Sequence, residues 1–411
     1  MTPGVGGAAR RILRVLFAAI FALAGASGLS DEAATPKTPA AAVREALRVF
    51  VGTYTGGESR GIYRFEIDAA SGSVIAGPSL AGVSENPSFL ALHPSGKFLY
   101  AVNEAGNFRG GKTGAVSAFA MDPSTGSLTF LNQQPSEGAD PCHLAVDRAG
   151  RYVLVANYTG GSVALFLLAS DGRIEPARSV HRLTGSGPNA ARQQAPHAHG
   201  VFFDPEERFA LIADLGADRI LVDRFDGETG RLTPNEPDSV ALEPGSGPRH
   251  LAWHPSGRFL YAVNELFSTV TAFRWHPRGG RADPFQTVPA VADGFSGDNK
   301  SAEIAAAPGG RFLYVSNRGD DALTVFAIDA TGRLANAARI PTGGRTPRHF
   351  AIDPAGRWLI AANQDSGSVV VFRLDPETGL PRAVGAPVAV PQPVSILLST
   401  AEGAGKKAPV P

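Results

Sequence analysis

Histidine, arginine and glutamate recur at matched places along this chain. His143, His199, His250 and His349 share one position of a repeated phrase with Glu303, while Arg249 and Arg348 stand one residue ahead of it. His197 sits two residues before His199, where most other copies of the phrase have Pro. Glu265 and Arg318 each follow an Asn that ends a second apolar stretch, and Asn363 is one of those Asn residues. Histidine and glutamate exchange protons, and arginine holds carboxylate or phosphate through paired N–H donors. Residues of these types, if gathered at one place, would suit acid–base work on a small anionic or polar ligand.

The elements that would gather them are repeats. The phrase is a Pro-led apolar strand, a Pro-Ser-Gly type turn and a second apolar strand ending in Asn. Pro87 to Glu104 is one copy and Pro248 to Glu265 repeats it almost letter for letter, with others at 141–157, 197–214, 301–317 and 347–363. A third strand follows each, such as Ser268 to Phe273, so every unit is an antiparallel meander. The second strands end at Thr53, Asn103, Asn157, Asp214, Asn264, Asn317 and Asn363, in steps of 50, 54, 57, 50, 53 and 46 residues. This describes an all-β fold, a seven-bladed β-propeller. Its first copy lacks the Pro-led strand, and the last segment, Pro393 to Leu398, is a Pro-led strand with nothing after it. Pairing of the N- and C-terminal segments would complete a blade and close the ring, leaving no long exposed edge.

Alignment of the copies places equivalent residues around one axis. The third position of the Pro-led strand reads Phe89, His143, His199, His250, Glu303, His349 and Ser395, and the second reads Ser88, Cys142, Ala198, Arg249, Ala302, Arg348 and Val394. The second strand returns antiparallel, so Glu104, Glu265 and Arg318 come back to the same mouth. A repeat kept only for folding has no need to vary these positions while its Leu-Ala and Phe-Leu-Tyr neighbours stay constant, which marks the mouth as a ligand site. The Asn column has a plainer reading, side chains that satisfy neighbouring backbone. His93 and His254, in the turn at the opposite face, read as structural. Cys142 beside His143 is a poor nucleophile pair, because strand neighbours point to opposite faces.

Charge and composition narrow the partners. Lys plus Arg number 38 and Asp plus Glu 38, a balance that argues against nucleic acid or an anionic membrane surface. Gly (48) and Pro (32) make up about a fifth of 411 residues, so turns are many and long helices are not expected. The single cysteine, Cys142, excludes an internal disulfide and cysteine-built zinc sites. At the start, Arg10, Arg11 and Arg14 precede the apolar run Val15 to Ala24 and the small residues Ala24-Gly25-Ala26. This matches an export signal over 1–26, by the Sec or twin-arginine route, and the run is short of the roughly 20 residues that a spanning helix needs. Residues 27–47, rich in Ala, Pro and Thr, read as a linker, 48–399 as the propeller and 400–411 as a flexible tail. The mature chain is expected in the periplasm or outside the cell, with no membrane span once the signal is removed.

Several of these segments resemble a known family. Phe50-Val51-Gly52-Thr53-Tyr54-Thr55 with Gly61-Ile62-Tyr63, Gly247 to Ala252, Gly297 to Ile304 with Tyr314 to Gly319, and Pro347 to Asp353 with Ala361 to Gln364 are similar to the propeller-type lactonases. That family includes the cycloisomerase-like 6-phosphogluconolactonases and the fungal carboxy-muconate cycloisomerases, and the resemblance spans about 48–399. It implies a carboxylic-ester hydrolase that opens a sugar-derived lactone without metal or other cofactor, using a His, Arg and Glu set at the channel mouth. Lactone hydrolysis needs a base for water, donors for the oxyanion and an acid for the leaving alkoxide. Glu303, His199, His250 and Arg348 are the catalytic candidates, with Glu303 or one of the two histidines as base. The binding candidates are His143, His197, Arg249, Glu265, Arg318, His349 and Asn363. The export signal departs from the cytosolic enzymes of central metabolism and points to an unphosphorylated aldonolactone or another lactone. The expected partner is a small-molecule lactone, and the protein is expected to be a monomer. Two other readings stay open: a non-catalytic envelope propeller that binds a protein or polysaccharide, and a metal-dependent lactonase using the four histidines.

Overall fold

The structure, a computed structural model, describes residues 45–292 and 294–400. The export segment, most of the linker and nearly all of the tail lie outside the described residues. Among the described residues there are 28 strands and no helix, arranged as seven four-stranded antiparallel sheets. The strand bounds are slightly wider than the sequence reading: Ala46 and Leu47 belong to the first strand and Thr400 to the last.

Six blades run consecutively in the chain. Blade 2 spans Leu90–Pro135, blade 3 Pro141–Arg182, blade 4 Ala198–Ala241, blade 5 Pro248–Pro289, blade 6 Ser301–Pro341 and blade 7 Pro347–Ala389. Blade 1 is made from both ends, with Pro393–Thr400 innermost and Ala46–Thr53 beside it. Val51 pairs directly with Ile396, and Thr53 with Pro393. Closure therefore rests on backbone pairing between residues more than 300 positions apart.

Burial follows strand position within the blade. The second strands are buried along nearly their whole length, Tyr152–Asn157 and Phe259–Asn264 at every residue, because both of their faces meet neighbouring sheets. The outermost strand Ile174–Arg182 alternates between shielded and exposed residues, since one face is wet. The apolar residues form seven clusters, each spanning two adjacent blades. The cluster of Leu47, Val49 and Phe65 with Trp358 and Ile360 seals blade 1 to blade 7. With each fully buried Leu, Val or Phe side chain worth roughly 1.5–3 kcal/mol, blade-to-blade contact is the main source of stability.

Polar ties repeat alongside these clusters. The hydroxyls of Tyr100, Tyr261 and Tyr314 donate to the carbonyls of Gly172, Gly332 and Gly379, each in the following blade. Gly172 takes φ +84°, and a Cβ there would lie 2.3 Å from the Phe98 ring, so the turn requires glycine. At the same face, Nε2 of His93 and of His254 each bonds a glycine carbonyl of the next blade, Gly150 and Gly310, at 2.9 Å.

Candidate active site

The innermost strands begin at the mouth of the channel, and their first residues carry a bulge. Register shifts fall between Pro141 and His143, Ala198 and Gly200, Pro248 and His250, Ser301 and Ile304, and Pro347 and His349. An extra residue in one strand breaks the alternation of faces, so consecutive side chains can turn toward the axis. Arg249 Nη1 accordingly lies 3.4 Å from Nδ1 of its own neighbour His250. The strict alternation expected for Cys142 and His143 does not hold at this bulge. Cys142 nevertheless faces the next blade, its Sγ 3.4 Å from the His199 carbonyl, and burial pushes its thiol up and leaves it a poor nucleophile.

A lower tier of the site fills the channel. The Phe89 ring lies 4.2 Å from His143 and 5.2 Å from His349, and the His250 ring lies 4.9 Å from His143 and 5.3 Å from His199, all between centroids. Glu303 joins them from blade 6, with Oε2 at 2.9 Å from His250 Nδ1 and 3.2 Å from His349 Nε2. Its Oε1 accepts the Ile304 amide. The Ile396 amide donates to His349 Nδ1, so that ring carries its proton on Nε2 and donates it to Glu303. His250 can present Nδ1–H to the same oxygen, which leaves its Nε2 with a lone pair.

Burial sets the charge states of this tier. It lowers His349 to about 4 despite Glu303, and it takes His143, His199 and His250 well below the usual histidine range, with arginines and neighbouring histidines adding to the effect. Burial raises the Glu303 carboxyl, against the pull of His349 and Arg249. The histidines are thus neutral acceptors or donors rather than cations.

The upper tier, nearer the mouth, is ionic. Glu265, only 2% exposed, has Arg318 Nη2 at 2.7 Å, Arg249 Nε at 3.1 Å and Arg192 Nη2 at 2.7 Å. Burial alone would raise its carboxyl, but Arg318, Arg249 and Arg192 outweigh that and hold it at about 2. Arg249 Nε and Arg318 Nη2 approach Glu265 without hydrogen-bond alignment, so these buried donors lack a directed acceptor. Arg348 Nη2 donates to the Tyr54 hydroxyl at 2.9 Å, which in turn donates to the Glu104 carboxylate. His197 stacks on Tyr158 with centroids 4.4 Å apart. Arg249, Arg318 and Arg348, with Arg192 at the rim, thus stand with the three carboxylates Glu104, Glu265 and Glu303, a balance of charge that suits an anionic group.

Asn363 stands apart from this cluster. Its side chain is fully buried and donates to the Thr342 carbonyl in the connection leading into its own blade. Asn157 and Asn317 do the same with Ser136 and Ala290, as the structural reading of that column expects. Arg192 was not legible in the columns, because it lies in a connection that has no counterpart in the other repeats. The 57-residue step from Asn157 to Asp214, the longest of the series, was the signal that something extra stands there. Among the described residues no group of three or more His, Cys, Asp and Glu is arranged to hold a metal ion, and no helix is long and apolar enough to cross a membrane.

A closed seven-bladed ring with a polar, arginine-rich mouth defines a class of enzyme scaffold. The family described as "Lactonase, 7-bladed beta-propeller" matches residues 48–398, and the chain belongs to this family of lactonases, which are carboxylic-ester hydrolases. It is 37% identical over 348 residues to a 6-phosphogluconolactonase of Bacillus subtilis, an alignment covering 84% of this chain and 97% of that one. Two solved structures superimpose with a TM-score of 0.80 at 36% identity. One is a putative 6-phosphogluconolactonase from Bacteroides fragilis, covering 88% of this chain and all of the other. The second is the periplasmic gluconolactonase of Pseudomonas aeruginosa, covering 86% and 99%.

Proposed function

We propose that the protein hydrolyses a sugar-derived lactone at the channel mouth, with Glu303 and His250 acting together as the base. The observation that carries this reading is the 2.9 Å contact between a buried glutamate and a neutral histidine, with Arg249 3.4 Å from the same histidine. Glu303 holds Nδ1–H of His250, and His250 Nε2 takes a proton from water as the oxygen attacks the lactone carbonyl. Glu303 offsets the charge that forms on the imidazole, while His349 steadies the carboxylate from its other side. The carbonyl oxygen becomes an oxyanion within reach of Arg249, Arg318 and Arg348. The ring C–O bond then breaks, and His250 returns its proton to the leaving alkoxide, so the product is a hydroxy acid whose carboxylate the same arginines can hold. His143 and His199 line this tier as neutral rings, and Glu265 keeps the arginines in place.

The same reading places the mature protein in the periplasm or outside the cell. Arg10, Arg11 and the apolar run to Ala24 support export, and phosphorylated sugars are scarce there, which favours an unphosphorylated aldonolactone or another lactone without phosphate. Native protein whose N-terminal sequence began at Met1 would remove that part of the proposal. The function itself is tested by a hydrolysis screen of the purified protein against gluconolactone and its 6-phosphate, with spontaneous opening subtracted. Turnover of at least one sugar lactone well above background is expected. No turnover of either lactone above background would overturn the substrate class.

A further inference from the structure

The connection between blades 3 and 4 runs from 183 to 197, the longest such connection among the described residues. It is tightly fastened. Gln193 is fully buried, its Nε2 donating to the Leu215 carbonyl and to Asp218, both at 2.8 Å, while its Oε1 accepts the Asn189 amide. The amides of Arg192 and Gln193 both bond the Asn189 carbonyl, and Gly187 N–H bonds the Gln193 carbonyl. A segment held this firmly presents the side chain beside Gln193 in a set position.

That side chain is Arg192, which reaches over the mouth to Glu265 and to the Tyr158 hydroxyl, 3.2 Å away. Three features separate it from a simple structural ion pair. Glu265 already has Arg249 and Arg318 against its other oxygen, so a third cation is surplus to neutralising it. Arg192 is the most exposed of the three, 30% against 15% for Arg318 and 3% for Arg249. Both of its hydrogen bonds among the described residues use Nη2, so Nε and Nη1 have donors to offer a ligand. Arg249 links the two tiers, touching His250 with one nitrogen and facing Glu265 with another. A substrate whose carbonyl sits over His250 and Glu303 can therefore extend past Arg249 toward Arg192.

We propose that Arg192 is a specificity residue, binding an anionic oxygen group, carboxylate or phosphate, on the sugar chain remote from the lactone carbonyl. This rests on the lactone reading given above and names the residue that would distinguish a lactone with an anionic chain end from a neutral one. A planar guanidinium with donors to offer, on the wet side of the site, recognises such a group by paired charge-assisted hydrogen bonds. Its contribution is to binding, made equally in ground and transition states, so it belongs in KM rather than kcat.

The test compares wild type, Arg192→Ala and Arg192→Lys on three substrates: neutral gluconolactone, the monolactone of glucaric acid with its free carboxylate, and 6-phosphogluconolactone. The alanine variant should raise KM about tenfold or more for the two charged lactones, the loss expected for a charge-assisted hydrogen bond. KM for gluconolactone should stay within about twofold, kcat should be little changed on all three, and lysine should restore part of the loss. The carboxylate and phosphate arms show which anion is preferred. A uniform loss on all three substrates, or no loss on the charged ones, would overturn the assignment. If no lactone were turned over, the hydrolytic reading would fail separately, and calorimetric titration with the ring-opened acids would decide about Arg192. Weaker glucarate and 6-phosphogluconate binding in the alanine variant, with gluconate unchanged, supports the assignment; equal weakening or none overturns it.

Discussion

The two faces of the propeller use histidine in opposite ways. At the corner face, His93 and His254 do the same thing twice: Nδ1 meets the serine two residues on, Ser95 or Ser256, and Nε2 meets a glycine carbonyl of the next blade. At the mouth face, the matched column holds Phe89, His143, His199, His250, Glu303, His349 and Ser395, and its members have different partners. His349 is pinned by the Ile396 amide and donates to Glu303, His143 accepts the Val201 amide, and His199 lies beside Cys142. Repetition of one geometry marks a strut between blades. Divergence at a position whose surroundings repeat is what the proposed lactone site requires of the mouth. Residue type alone would have joined His254 with His250; their columns separate them.

The comparison can be broken most severely by opening the ring. A chain ending at Val390 loses Pro393–Thr400, the innermost strand of blade 1, along with its pairing to Val49, Val51 and Thr53. Both the remaining edge and the face of blade 7 would then meet water, and loss of cooperative folding is expected by circular dichroism and thermal melting. A ring that stayed folded would show that closure contributes little to stability. A smaller effect is expected from Asn157→Ala, which removes the bonds to the Ser136 carbonyl and Ser162 hydroxyl in a fully buried position. The cost should be about 1–3 kcal/mol, with the hydrolysis rate nearly unchanged, as measured by denaturant unfolding beside a rate assay.

Acid sensitivity sharpens the contrast with the least effect. The native state holds His143, His199 and His250 neutral well below the usual range and His349 down to about 4, whereas the unfolded chain takes up protons near pH 6.5. Stability should therefore fall as pH drops from about 6.5 toward 4, by up to about 1.4 kcal/mol per pH unit for each histidine in that window. Glu303, Glu207, Asp147, Asp204 and Asp214, each raised by burial, act in the opposite sense, so the histidine contribution is isolated by substitution. Replacing His143 with Phe should make the fall shallower when melting temperature is followed against pH. An unchanged slope would mean that the mouth histidines are not held neutral.

The repeating parts of the molecule were the parts that sequence could reveal. The Pro-led strands, the Pro-Ser-Gly corners and the half-repeats at the two ends lead directly to a closed ring, because each blade needs the same apolar pattern to bury itself against its neighbours. The columns also lead to the central cluster, since a closed ring brings equivalent positions to one axis. Three features were hidden for physical reasons. The bulge that turns both Arg249 and His250 toward the axis breaks the period of two on which strand reading depends. Asn363 shares the end of the second strand with the mouth residues, but its side chain turns to the Thr342 carbonyl, a choice set by the connection rather than by the strand. Arg192 belongs to an insertion, and alignment of repeats has no column for a residue that occurs once.

The most direct test is to measure lactone hydrolysis by Glu303→Gln, Arg348→Ala and His254→Ala beside the wild type, on whichever sugar lactone the native protein opens fastest. Loss of the base unit or of an oxyanion donor should lower kcat/KM by roughly a hundredfold or more, whereas His254→Ala, at the far face, should keep the wild-type rate. Equal activity of the Glu303→Gln and His254→Ala proteins on that lactone would contradict the account, because the chemistry would then lie somewhere other than at the mouth.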